Sequence, residues 1–130
     1  QDIRPHCQAQ CSAEAGDYYA LTAGSLTPAA AANLLPDRAT LAAVWRYITC
    51  VPQQELNQTP MCLLRKIVRW SGLPMSLGKL LTCLDIFADV GLLELRQCRK
   101  YIILNPATVE GKADLSQSPT MQRLMAVKES

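Results

Sequence analysis

The stretch from Ser76 to Asn105 constrains the fold most, because a helix, a stop and two strands around a charged turn follow one another with no residues to spare. Leu77, Leu80, Leu81, Leu84, Phe87 and Ala88 recur at three- and four-residue spacing, which lays them along one stripe of a helix, and Ser76 stands where an N-cap belongs. Gly91 follows, a residue able to take the left-handed conformation that closes a helix. Leu92 to Arg96 and Tyr101 to Leu104 then read as two strands, with Gln97, Cys98, Arg99 and Lys100 as the turn between them. A helix that runs into a hairpin with a basic tip is the closing half of a winged helix, a shape that binds rather than catalyses.

The residues upstream supply the other half. From Asp37 to Cys50, Leu41, Val44, Trp45 and Ile48 form a helical stripe with Arg38, Arg46 and Tyr47 off it. Thr59-Pro60 opens a second helix to Trp70 by a cap and a first-turn proline, with Leu63, Leu64, Ile67 and Trp70 on its buried side and Arg65, Lys66 and Arg69 outside. Leu73-Pro74-Met75 links it tightly to the helix at Ser76, as in a helix-turn-helix. Glu55-Leu56 is expected as a short strand. The expected fold is thus mainly α (α+β): a winged-helix core over 37–105, preceded by a linker and a short helix over 1–36 and followed by a tail over 106–130. Residues 1–26 hold no sustained period and read as connecting chain. Thr27-Pro28 starts a short helix through Leu35, and Ser118-Pro119 starts another carrying Met121, Leu124, Met125 and Val127.

Size and composition limit the classes of function. A chain of 130 residues with 49% hydrophobic residues buries one core, and no apolar run approaches the roughly twenty residues of a membrane span. A soluble, cytoplasmic protein is expected, with no membrane partner. The start at Gln1 carries neither a secretory signal nor an initiating methionine, which fits an excised piece of a longer polypeptide. Six cysteines in a domain with its own core read as thiols of a reducing compartment, with Cys50, Cys62 and Cys83 as small apolar side chains on helices. The formal net charge of +2 implies no polyanion partner by itself. The distribution is more telling, since the segment from Arg65 to Lys100 is net +4 and the rest of the chain net −2.

Catalytic constellations are missing. His6 is the single histidine, so no Ser-His-Asp set can be assembled without it, and His6 with Cys7 and Cys11 supplies three zinc ligands with no second spaced pair. The glycines are scattered and form no phosphate-cradling loop. Asp85 and Asp89, one turn apart, read as a solvated face. No catalytic residue, metal site or cofactor is expected in this chain. Nucleic-acid binding is the chemistry that remains. Off the buried stripe of the third helix stand Gly78, Lys79, Thr82, Cys83, Asp85, Ile86 and Asp89, one cation against two anions, which opposes reading base edges in a groove. Arg65, Lys66 and Arg69 on the second helix, with Arg96, Arg99 and Lys100 at the wing, suit contact with a phosphate backbone; the plainer alternative is a solvated basic surface. Trp45 and Trp70 are expected in the core. Ile86, apolar among polar neighbours, points to a protein partner or to packing against the chain ends. A free-standing winged-helix regulator and a pure interaction scaffold are the competing classes.

Four stretches taken in order resemble a known family. They are Asp2-Ile3-Arg4; Leu35-Pro36-Asp37-Arg38 leading into Val44-Trp45-Arg46-Tyr47; Cys83-Leu84-Asp85-Ile86-Phe87-Ala88-Asp89-Val90-Gly91-Leu92; and Gly111-Lys112-Ala113-Asp114-Leu115-Ser116-Gln117-Ser118-Pro119. Together they are similar to the carboxy-terminal region of RecJ-type single-stranded-DNA exonucleases of Gram-positive bacteria. The resemblance implies a module appended to amino-terminal catalytic domains, in which Asp and His ligands of a DHH motif hold manganese or magnesium. None of those ligands is in this chain. It further implies, as partners, the catalytic domains of the parent chain, single-stranded DNA, or a protein of DNA repair and recombination.

Overall fold

Helix starts are set by one repeated device. Thr27, Asp37, Thr59, Ser76 and Ser118 each hold extended backbone and accept, on a side-chain oxygen, the amide of the residue three positions on. Proline occupies the first helical position after Thr27, Thr59 and Ser118, where its missing N–H costs nothing. Hydrogen bonding from Thr40, its side chain first and its amide second, holds the Asp37 carboxyl below its ordinary range.

The computed structural model describes residues 16–96, 101–104 and 114–129. Among them are α1 (Gly16–Ala23), α2 (Pro28–Leu34), α3 (Arg38–Cys50), α4 (Pro60–Ser71), α5 (Leu77–Asp89), β1 (Leu93–Arg96), β2 (Tyr101–Leu104) and α6 (Pro119–Lys128), with 3₁₀ turns at Gln53–Leu56 and Leu115–Gln117. The chain is mainly helical, as the sequence pattern requires. β1 and β2 pair antiparallel in the register Leu93 to Leu104 and Arg96 to Tyr101, so the expected ribbon is present.

α5 is the axis of the molecule. α1, α2, α3, α4, β1, α6 and the Leu115–Gln117 turn all pack against it. Its own sequence explains this position: Leu80, Leu81, Leu84 and Phe87 fill one side, while Gly78, Thr82, Cys83 and Ile86 are small or apolar on the others, and all eight are buried. Thr82 tolerates burial because its hydroxyl donates to the Gly78 carbonyl at 2.9 Å. The helix then ends in a Schellman turn. The Gly91 amide donates to the Ala88 carbonyl and the Leu92 amide to the Phe87 carbonyl, with Gly91 at φ 81° and the side chains of Leu92 and Phe87 both buried beside the turn.

Several expectations are corrected. Residues 16–23 are a helix rather than connecting chain, with Tyr18 and Leu21 in the core. Glu55 and Leu56 lie in a 3₁₀ turn, not a strand; that turn packs beside β2 and buries Leu56. Tyr47 belongs to the buried side of α3, one turn on from Val44. Cys50 and Cys62 are exposed, and of the three described cysteines Cys83 alone is a core residue. On α6, Leu124 is buried but Met125 faces solvent.

Candidate nucleic-acid interface

At 100° of rotation per residue, Arg65, Arg69, Cys62, Lys66 and Trp70 fall in that order across an arc of about 140° on α4. All five are exposed, while Pro60, Leu63, Leu64 and Ile67 on the opposite arc are buried. The exposed arc holds three cations and no carboxylate, because α4 contains no acidic residue. Gly72, at φ 73°, closes the helix through its amide to the Val68 carbonyl at 2.8 Å.

The three cations differ. Lys66 forms an ion pair with Glu55 at 3.0 Å, and that hydrogen bond raises its pKa above the ordinary lysine value. Both partners are about half exposed, so the pair is screened and contributes little to stability. Among the described residues neither Arg65 nor Arg69 forms an ion pair. Their guanidinium groups are therefore the freer part of the arc. Arg96 ends β1 opposite Tyr101. Arg99 and Lys100, expected at the wing tip, lie outside the described residues, as do His6, Cys7 and Cys11. Among the described residues, no group of three or more His, Cys, Asp or Glu could hold a metal ion.

Trp70 was expected in the core and is instead 50% exposed. It sits at the edge of the basic arc, in the last turn before Gly72. The Tyr47 ring meets it at 5.6 Å with the planes inclined by 71°, which braces the indole without covering it. Trp45, by contrast, is half-buried and packs on Phe87 at 5.2 Å. The wheel position held the signal that was missed: Trp70 falls at the margin of the apolar stripe, between Lys66 and Leu63.

The outer side of α5 offers no comparable surface. Ile86, expected to touch a partner or to pack against the chain ends, is fully buried and leaves no surface for a partner. Asp85 is half-buried and Asp89 exposed, but both carboxylates are engaged rather than left to solvent alone. The Tyr18 hydroxyl of α1 donates to Asp85 Oδ2, while Asp89 Oδ2 accepts from the Ser118 hydroxyl at 2.7 Å and from the Thr120 amide at 3.0 Å. Asp89 thereby adds an anion to the N-terminus of α6, where the helix dipole favours one. The two carboxylates fasten the terminal helices to the central one.

Compared with protein-family models, curated proteins and solved structures, the chain matches none. No helix among the described residues is long and apolar enough to cross a membrane.

Proposed function

We propose that this chain is a non-catalytic accessory module of a RecJ-like single-stranded-DNA exonuclease, which holds nucleic acid by its phosphate backbone while the parent's metal-bearing domains cut. The observation that carries the reading is the outer arc of α4, where Arg65, Lys66 and Arg69 stand exposed with no carboxylate on the same helix. Such a surface attracts phosphates without distinguishing bases. Its architecture is assigned to the winged-helix class, with α3, α4 and α5 as the three helices, β1 and β2 as the wing, and Arg96, Arg99 and Lys100 as a second backbone contact. The ordered resemblance to RecJ-type carboxy-terminal regions supports the parent, and the free thiols of Cys50, Cys62 and Cys83 fit a cytoplasmic setting. A groove-reading regulator is disfavoured because α5 is buried around most of its circumference. The scaffold reading loses one of its two supports with the burial of Ile86 and keeps only the near-neutral total charge.

Titration against labelled single-stranded and duplex oligonucleotides at two salt concentrations tests this. Binding should lack sequence preference and weaken with salt. Arg65→Ala and Arg69→Ala should each flatten the slope of log affinity against log salt by about 0.7 for single strands. Reversing both arginines to Glu should abolish binding, and affinity unchanged by that double reversal would reject the proposed surface. Nuclease turnover by the purified chain with manganese would reject the non-catalytic assignment.

A further inference from the structure

We infer that Trp70 is a base-stacking platform, so that the nucleic acid held by the α4 arc is single-stranded at the point of contact. This rests on the backbone-contact reading above and adds to it a side chain that grips a base. Three observations converge on the indole. It is half exposed although it is the largest side chain on its helix, its ring packs edge-on against Tyr47, and it ends the arc that carries the three cations, next to Lys66.

The chemistry follows from what each part can grip. Cations hold phosphates, and an aromatic face beside them holds a base, the pairing used by proteins that bind single strands without sequence preference. Lys66 and Trp70 are four residues apart, about 6 Å along the helix axis and about 40° around it. That is about two steps of a stacked strand at about 3.4 Å each. A strand whose phosphates track the arc from Arg65 and Arg69 to Lys66 therefore brings a neighbouring base within reach of the indole. In a duplex each base face is already covered by its neighbours, so the platform has nothing to receive unless a base is unstacked. Trp70 is thus expected to contribute to single-strand affinity and not to duplex affinity. Because every base presents a π-face, the preference is for strandedness rather than sequence.

The test uses the full chain with a fluorescein-labelled oligothymidylate and a duplex of equal length. Trp70→Ala should weaken single-strand binding by about 5- to 100-fold, leave duplex binding within about twofold, and leave the salt slope unchanged. Trp70→Phe, which keeps an aromatic ring beside Tyr47, should recover most of the loss. In the unaltered chain the oligothymidylate should shield the acrylamide-accessible indole fluorescence, a readout independent of any variant's stability. Equal weakening of single-strand and duplex binding by Trp70→Ala would overturn the inference, as would unshielded fluorescence in the bound state. If the Arg65→Glu, Arg69→Glu double variant loses binding and Trp70→Ala does not, the platform is refuted and the backbone-contact reading stands. If neither change affects affinity, both are refuted.

Discussion

α4 and α5 are consecutive helices of nearly equal length joined by a short link, yet they end in opposite environments. α4 divides its surface between a buried stripe and a basic arc with Trp70 at its margin. α5 is buried on most of its circumference, and its two carboxylates are engaged by Tyr18, Ser118 and Thr120. In a helix-turn-helix that reads DNA, the second of two such helices faces the groove. Here the first has the available surface. The contrast teaches that a leucine stripe identifies a buried side of a helix but does not make its other side free; whether that side is open depends on what the rest of the chain lays over it.

The contrast can be broken most sharply at the cysteines. Burial pushes the Cys83 thiol up to about 12, and no solvent reaches it in the native fold, whereas Cys62 lies on the exposed arc of α4. Alkylation followed by peptide mass spectrometry should find Cys62 modified faster than Cys83 by about three orders of magnitude or more, because Cys83 must await unfolding. Comparable rates would show that α5 is open. Next in size, Ile86→Ala should cost about 2–5 kcal/mol in urea denaturation, against about 0.5 kcal/mol or less for Arg65→Ala. Equal and small effects would return Ile86 to the surface.

Smaller effects are expected where the terminal helices are fastened. Tyr18→Phe removes the hydroxyl that α1 donates to the half-buried Asp85 and should cost about 1–3 kcal/mol. Ser118→Ala removes both the N-cap of α6 and the bond to Asp89 and should cost about 0.5–2 kcal/mol. Neither variant should alter affinity for nucleic acid, since both act on the terminal helices and leave the exposed arc of α4 as it is. A loss of binding without loss of stability would assign the terminal helices a direct role in contact.

Local signals were legible in the sequence where the chemistry is local. The caps at Thr27, Thr59, Ser76 and Ser118 each need one side-chain oxygen and an amide three residues on, and the Gly91 stop needs one permissive residue. The hairpin pairing followed from two apolar runs around a polar turn. What depended on distant chain was not legible. α1 buries Tyr18 and Leu21 through one helical turn, too short a pattern to stand out, and it is stabilised by packing on α2 and α5 rather than by its own propensity. Ile86 looked unpartnered because the sequence does not state what covers the far side of α5. Trp70 lay on the border between two arcs, where a helical wheel does not separate inside from outside and the end of the helix leaves fewer neighbours to bury an indole. The basic residues of α4 were readable as a cluster, but their isolation from carboxylates, Glu55 beside Lys66 excepted, required the fold.

Nucleic acid is proposed to meet α4 and to leave α5 untouched. Amide and indole chemical shifts recorded as the protein is titrated with oligothymidylate test this proposal residue by residue. Salt-sensitive shifts are expected at Cys62, Arg65, Lys66, Arg69 and the Trp70 indole N–H, with Leu80 to Phe87 unmoved. Shifts concentrated on α5, or a titration that leaves α4 silent while binding saturates, would contradict it.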